Sequence, residues 1–448
     1  MKEHDRFESV VRERAVLVRV ITNERMFIEE PLAELRGLAT TAGTVIVGEL
    51  SQRRPGPDCA TYLGHGKVAE LKQLVASATA DVVIFDNDLN PAQTRNLEKE
   101  LQVKVIDRTE LILDIFASNA RTHEARLAVE LAQLEYSLPR LKRLWTHLSR
   151  IKAGVGMRGP GEKQLEVDRR LVEKRITDLR GELRGIEARR ERQVAARHDH
   201  MTVSLVGYTN AGKSTLMNAL TQADVLVADK LFATLDTRTR RWQLPNWGPV
   251  LLSDTVGFIR DLPHRLIASF KATLEESRQA DLLLHVADAS NPAVGDQISA
   301  VHQVLQEIGI QEKDTLLVLN KIDQLPSPAH GDALLSRYPA AIMISARKRL
   351  GFERLSYRVS DALSSTFRDV DVETRLDNGR LLAYLAAHGE ILSRRYDDQR
   401  VIVHCRIPQK YLGRIAGADT VVRARDATPL PQVAEDPDPA AAVMEDVA

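Results

Sequence analysis

The stretch Gly207-Tyr208-Thr209-Asn210-Ala211-Gly212-Lys213-Ser214 decides how this chain is read. The apolar run Thr202–Gly207 leads into it, and the helix-forming run Ser214-Thr215-Leu216-Met217-Asn218-Ala219-Leu220 follows. Glycines in such a loop let successive backbone N–H groups turn inward around a phosphate, with no side chain in the way. Lys213 then offers a point charge to the β- and γ-phosphates of a nucleotide, and the Ser214 hydroxyl offers a ligand to Mg²⁺. A glycine turn at a strand end, without ligand, is the bland alternative. The position between strand and helix argues against it.

Four further apolar runs, 250–257, 282–288, 315–321 and 341–346, read as strands, and each ends in polar or glycine residues. In an open parallel sheet those carboxyl ends hold the ligand. Asp254-Thr255-Val256-Gly257 places a carboxylate where it can hold Mg²⁺ through water, and a glycine N–H within reach of the γ-phosphate. Asn320-Lys321-Ile322-Asp323 offers a carboxylate that accepts two hydrogen bonds from guanine, a pairing adenine lacks, so discrimination should be large. Ser345-Ala346-Arg347 suits a backbone contact to the guanine O6. Each motif alone is weak; in this order, each at a strand end, they predict a Mg²⁺-dependent GTPase and disfavour an ATPase.

A second Mg²⁺ hydroxyl must come from Leu231–Thr239, which holds three threonines. Thr234 is preferred, because apolar Phe232, Ala233 and Leu235 can anchor the loop while Thr234 faces the metal beside Asp236. Thr237 and Thr239 stay open, as does a threonine with no ligand. Lys213, Thr234 and Gly257 are therefore the catalytic candidates. Phe258 stands where many small GTPases carry a water-orienting glutamine. A phenyl ring cannot orient water, so basal hydrolysis should be slow and an outside activator is expected. Asn210, inside the phosphate loop, makes K⁺ a candidate second cation, against the plain reading of a tolerated loop residue.

The rest of the chain surrounds this domain. At 448 residues, two to four domains are expected. With 44% hydrophobic and 28% charged residues the composition is that of a globular protein. No apolar run approaches the roughly 20 residues that cross a bilayer. The opening residues are charged throughout, unlike a signal peptide. Cys59 and Cys405 stand far apart with no metal-ligand spacing around either, which argues against a disulfide framework or zinc site and fits a reducing, cytoplasmic compartment.

Strand runs at 15–20, 44–50, 82–85 and 103–107 alternate with helical runs at 31–42, 67–78 and 91–101, predicting a small α/β domain over 1–120. Gly64-His65-Gly66-Lys67 reads as a strand-to-helix turn rather than a second phosphate site. Next come two apolar seams at helical spacing. Leu127, Leu131, Leu134, Leu138, Leu141, Trp145 and Leu148 form one, with a kink or break expected at Pro139. Leu165, Val172, Ile176, Leu179, Leu183 and Ile186 form the other, and a glycine-rich stretch separates them, so 121–200 should be an antiparallel helical hairpin. Its span Pro139–His200 carries 17 Lys and Arg against 9 Asp and Glu. Such an excess suits a phosphate-lined RNA surface, with a merely solvated face as the alternative. The GTPase domain takes 201–366. Strands in 370–376 and 400–407, with helices at 378–389 and 408–417, predict an α+β domain over 367–425. The tail 426–448 has six acids and no Lys or Arg, and reads as disordered.

The fold class predicted is thus α/β: a P-loop GTPase domain preceded by a small α/β domain and an antiparallel helical hairpin, and followed by a small α+β domain. Several stretches resemble one family, HflX, the ribosome-associated GTPases. They are Tyr62-Leu63-Gly64-His65-Gly66-Lys67-Val68, Arg158-Gly159-Pro160-Gly161-Glu162, Gln164-Leu165-Glu166, Asp168-Arg169-Arg170, and the segments Leu231–Asp236 and Asp254–Ile259. The resemblance spans roughly residues 12 to 420, departing at Lys163, at Val167 and in the acidic tail. It implies binding to the large ribosomal subunit and its rRNA through the N-terminal domain and hairpin. It also implies splitting or rescue of stalled or idle ribosomes, with hydrolysis stimulated by the ribosome. A GTPase acting on a large-subunit precursor, or an RNA-binding scaffold with a nucleotide-sensing site, are the alternatives. Nothing in the charged hairpin surface calls for more than a monomer.

Overall fold

A computed structural model describes residues 10, 12–22, 30–151, 160–195, 201–221, 231–232, 237–244, 248–260, 276–310, 313–364, 367–397, 399–412, 415 and 420–424. Of residues 141–151, 160–168, 187, 190–195, 387–388 and 409–410 it describes the backbone alone. The chain divides into two compact units, residues 1–360 and 361–448.

The first unit begins with four parallel strands, β1 (Arg14–Ile21), β2 (Val45–Arg53), β3 (Val82–Phe85) and β4 (Lys104–Asp107), in the order β2-β1-β3-β4. The helices α1 (Ala33–Ala42), α2 (His65–Ser77), α3 (Pro91–Leu101) and α4 (Arg108–Asn119) connect or follow them. Leu35, Leu38, Leu111, Ile112 and Phe116 of α1 and α4 share a core with Ala15 and Leu17 of β1. Val16, Val18 and Val20 instead meet Val68, Leu71 and Leu97 of α2 and α3. Both sheet faces are covered, which is why β1 and β3 read as continuous apolar runs rather than alternating ones. Gly64 opens α2, so the Gly64–Lys67 segment is indeed a turn into a helix.

Two long helices follow, α5 (His123–Ile151) and α6 (Pro160–Ala195). Leu127, Leu131, Ile176, Leu179 and Leu183 are buried in one cluster, with Leu134, Leu138, Val172 and Ile186 packed against it. The side chains of Leu141, Trp145, Leu148 and Leu165, and the tip 152–159, lie outside the described residues. A helix of 29 residues is roughly 44 Å long, beyond the reach of the connecting segment, so helices packed along their length run antiparallel. Of the kink or break expected at Pro139, the break does not occur: α5 runs through it as one helix. Proline removes the N–H that would serve the Glu135 carbonyl one turn earlier, and the packing of α5 against α6 carries the helix through.

The nucleotide-binding part is a six-stranded sheet of β5 (Thr202–Gly207), β6 (Arg238–Leu244), β7 (Gly248–Asp254), β8 (Leu282–Asp288), β9 (Thr315–Asn320) and β10 (Ile342–Met343). Its order is β10-β9-β8-β5-β7-β6, parallel except for β6, which runs antiparallel to β7 at the edge. Helix α7 (Lys213–Thr221) follows β5 directly; α8 (Val294–Glu307), α9 (Pro328–Arg337) and α10 (Phe352–Ser364) follow later strands. The sequence reading missed β6, whose Arg-Thr-Arg-Arg run points only Trp242 and Leu244 inward.

The second unit is an antiparallel sheet of β11 (Phe367–Arg375), β12 (Glu390–Asp397), β13 (Arg400–Pro408) and β14 (Val421–Ala424), in the order β12-β13-β11-β14. It also holds α11 (Gly379–His388) and the single turn α12 (Gln409–Leu412). Val370, Val372, Val401, Val403, Cys405 and Ile407 form its buried face. Strands β12 and β14, which sequence reasoning did not find, are edge strands with mostly exposed side chains. Among the described residues no helix is long and apolar enough to cross a membrane.

Candidate guanine-nucleotide site

The phosphate loop leaves β5 at Gly207, where φ is +148° and an added Cβ would lie 2.1 Å from the Val286 carbonyl oxygen. Only glycine fits there. Asn210 and Gly212 also adopt positive φ, +60° and +91°. Lys213 opens α7 but is buried, and its ammonium donates to the loop carbonyls of Gly207 at 3.0 Å and Tyr208 at 2.9 Å. Burial pushes its pKa down to about 8, partly opposed by Asp254. Ser214 Oγ donates to Asp254 Oδ2 at 2.6 Å, and Thr215 is half-buried beside it in α7.

Asp254 closes β7, with Thr255 and Val256 buried after it. The Thr255 hydroxyl is committed to the Leu205 carbonyl, 2.7 Å away in β5, so that side chain fixes the strand end. Gly257 packs against the loop so closely that an added Cβ would lie 2.7 Å from Thr209 Cα and 3.1 Å from Lys213 Nζ. Phe258 pairs its backbone with the loop, accepting from Thr209 N–H at 2.7 Å and donating to Gly207 at 3.1 Å. Its ring is 2% exposed and belongs to the core, turned from the solvent where a catalytic water would sit.

The far side of the site is held by Asn320. Its Nδ2 donates to the Ala211 carbonyl at 2.9 Å, and its Oδ1 accepts from Ala346 N–H at 2.9 Å. Lys321, at φ +64°, extends its amine to Asp288 Oδ2 at 2.7 Å. Ile322 donates its N–H to the Ile344 carbonyl. Asp323 accepts from Ser345 Oγ at 2.6 Å, a bond that holds its carboxyl below the usual carboxylate range. Ser345 and Ala346 are buried while Arg347 is exposed. The phosphate loop, Asp254–Gly257, Asn320–Asp323 and Ser345–Arg347 thus meet at the carboxyl ends of the parallel strands.

Ala233, Thr234, Leu235 and Asp236 lie outside the described residues. Of the alternatives to Thr234, Thr239 spends its hydroxyl in the β6–β7 pair, 3.1 Å from Ser253 Oγ. Phe232, at φ +55°, is buried edge-to-face against Phe116 of α4, with ring centroids 4.7 Å apart. Its N–H donates to Thr209 Oγ1 at 2.9 Å, and its carbonyl accepts from Asn119 Nδ2 at 3.0 Å. Leu231 N–H likewise donates to Thr41 Oγ1 at 3.2 Å.

Sequence reasoning missed these partners in the N-terminal domain, and it missed the task of the Tyr208 side chain. The Tyr208 hydroxyl donates to Glu34 Oε1 and accepts from Arg260 N–H at 2.8 Å. Burial raises the Tyr208 pKa, and Glu34 adds to the effect. Burial works against the Glu34 carboxylate, but Arg108 and Arg260 outweigh it and leave its pKa below the ordinary value. The only signal was generic: polar clusters at the ends of β3 and β4, where a parallel sheet presents its functional groups.

A parallel sheet whose phosphate loop is joined through one asparagine to a base-selecting loop defines a P-loop GTPase. The comparisons carry this further. Residues 29–117, 119–197 and 202–321 match, in order, the families described as GTP-binding GTPase N-terminal, GTP-binding GTPase middle region and 50S ribosome-binding GTPase. The GTPase HflX of Escherichia coli (strain K12) is 47% identical over 380 residues, 84% of this chain and 88% of that protein. The GTPase HflX of Caldanaerobacter subterraneus is 45% identical over 404 residues, 88% of this chain and 91% of that protein. A crystal structure of SsGBP with GDP covers 78% of this chain and 99% of its own at 24% identity, with a TM-score of 0.46. This chain belongs to the HflX family of GTPases, and it hydrolyses GTP.

Proposed function

We propose that the chain is a GTP-driven switch that binds the large ribosomal subunit and splits or rescues stalled or idle ribosomes, with the ribosome stimulating hydrolysis. The observation that carries the reading is Phe258: the side chain after Gly257 is a buried ring, so the chain lacks a water-orienting group at that position. The missing element must come from elsewhere in the chain or from a partner. The match of residues 202–321 to 50S ribosome-binding GTPases, and the basic balance of Pro139–His200, favour the ribosome as that partner. Contact would run through the N-terminal domain and hairpin.

In this reading the Gly207–Thr215 backbone and Lys213 hold the phosphates, and Gly257 N–H meets the γ-phosphate. Asp323 takes the guanine edge, with Asn320, Lys321 and Ile322 setting its loop and Ser345–Arg347 supplying the O6 contact. The donor set fits Mg²⁺: a hydroxyl and a carboxylate oxygen 2.6 Å apart, at Ser214 and Asp254, are hard oxygen ligands. Thr234 would add the third. Mg²⁺ would neutralise charge developing between the β- and γ-phosphates. K⁺ beside Asn210 remains a proposal that equal rates in K⁺ and Na⁺ buffers would sink.

The test is GTP hydrolysis with and without purified ribosomal subunits, alongside sedimentation of joined ribosomes. Stimulation by the large subunit, and a shift from joined ribosomes to subunits with GTP or a non-hydrolysable analogue, are expected. No shift would remove the splitting function. Asp323→Asn should turn nucleotide preference toward xanthine; unchanged guanine preference would remove the base assignment.

A further inference from the structure

Asp107 and Arg108 are neighbours in the chain, at the carboxyl end of β4, and both are almost wholly buried, at 2% and 3% exposed. Their side chains serve different partners. Asp107 accepts from Tyr136 Oη at 2.6 Å and from Arg140 Nη2 at 2.9 Å, both on the hairpin helix α5. It also accepts from the N–H groups of Leu89 and Glu110, so the carboxylate is fully engaged. Arg108 turns to the GTPase sheet. Its Nη2 donates to the Arg260 carbonyl at 3.1 Å and lies 2.9 Å from Glu34 Oε1, while Nη1 meets Asp86 Oδ1 at 2.5 Å. Glu34 receives the Tyr208 hydroxyl and lies 3.1 Å from Arg260 Nη2.

A continuous path of charged hydrogen bonds therefore runs from the phosphate loop to the hairpin, with one peptide unit at its middle. It enters at Tyr208, the second residue of the loop, and at Arg260, three residues past Gly257. Both backbone groups of Arg260 are held, its N–H by Tyr208 and its carbonyl by Arg108. A displacement of Gly257 toward a γ-phosphate must either drag this pair or break it. Burying so many charges costs desolvation that an apolar contact would avoid, and the best-attested return is a defined register or a switch.

We propose that Asp107-Arg108 is the joint coupling the nucleotide at the phosphate loop to the hairpin, with Arg108 and Tyr136 as positioning residues on its two sides. Occupancy at one end then changes affinity at the other, reciprocally. The proposal rests on the GTPase reading of the site and is independent of which partner the hairpin binds.

The test is amide hydrogen exchange of the full chain with GDP and with a non-hydrolysable GTP analogue. In the unaltered protein, exchange of α5 around Tyr136–Arg140 should differ between the two nucleotides. In Arg108→Met the α5 difference should vanish, and in Tyr136→Phe, which leaves the Arg140 bond to Asp107, it should shrink, while the difference around Gly257–Arg260 persists. Tyr136→Phe removes one hydroxyl and keeps the ring, so it guards against an Arg108→Met chain that fails to fold. Arg108→Lys, which keeps the charge without the fork, should recover only part of the α5 difference. An α5 difference that is undiminished in the substituted chains overturns the joint, as does an unaltered protein whose Gly257–Arg260 segment responds while α5 does not. No response anywhere, phosphate loop included, overturns the joint together with the site reading and so is told apart from the other failures.

Discussion

Asn320 and Ala211 stand 109 positions apart, yet the asparagine amide donates to the alanine carbonyl at 2.9 Å. That bond closes the base-selecting loop onto the phosphate loop, and the Ala346 N–H bond extends the clamp to the third loop. An added Cβ at Gly212 would come 2.3 Å from the same Asn320 amide nitrogen, so the contact leaves no room.

Asn320→Ala should therefore act on the whole site and not only on base choice. Two buried hydrogen bonds are lost and their partners left unsatisfied, a cost of about 2–3 kcal/mol. Guanine-nucleotide affinity should fall roughly 30- to 150-fold, since about 1.4 kcal/mol is tenfold. Equilibrium titration with fluorescent GDP measures it; affinity within twofold of the unaltered chain would show that the clamp is dispensable.

Gly257→Ala separates ground state from turnover. The new Cβ would sit 2.7 Å from Thr209 Cα, a backbone atom that cannot swing aside. The Asp254–Gly257 segment must then retreat from the phosphate loop. GDP, which has no γ-phosphate, should bind within a few-fold of normal, while single-turnover GTP hydrolysis drops on the order of 100-fold or more, as displacements of about 1 Å do. Equal losses for both nucleotides would point to a collapsed loop instead.

Phe258→Gln tests whether the missing glutamine can simply be restored. The ring faces the core, and the backbone of Phe258 is paired to both Gly207 and Thr209, which fixes that direction. A glutamine there would bury its amide at a cost of about 1–3 kcal/mol, besides losing aromatic packing. The expected outcome is a lower melting temperature and no gain in basal hydrolysis. A tenfold rise in rate without added ribosomes would mean that the side chain can turn outward.

What the sequence disclosed, and what it withheld, divides by distance along the chain. Gly207–Ser214 and Asn320–Asp323 are local: glycine geometry and polar residues at apolar strand ends are written in consecutive letters. Tyr208 and Glu34 are 174 residues apart, and no local pattern marks either as the other's partner. Phe232 looked like an apolar anchor for its own loop, yet its ring packs on Phe116 of another domain. Strands β6, β12 and β14 were illegible because edge strands with few inward side chains carry little alternation. Pro139 was read by its local rule alone, whereas the helix is carried through it by α5 packing on α6, from Leu127 and Leu131 before it to Leu138 beside it.

Lys213 gives a prediction in pH. Burial holds its ammonium near 8, against an ordinary value of 10.5, in the nucleotide-free chain. Phosphate placed beside the amine favours its charged form and raises that value. Between about pH 8 and the raised value, binding must take up a proton. GDP affinity should thus be flat below pH 8 and fall by up to about tenfold per unit above it. Calorimetry at pH 9 in buffers of different ionisation heat should register the uptake, and at pH 7 almost none. The sign for stability is opposite. Between 8 and 10.5 the unfolded chain holds this proton and the folded one does not, so the group adds up to about 1.4 kcal/mol per pH unit to the nucleotide-free fold as pH rises. Lys213→Arg keeps its charge throughout and should abolish the uptake. Proton uptake at pH 9 that persists in Lys213→Arg would assign the titration to another group.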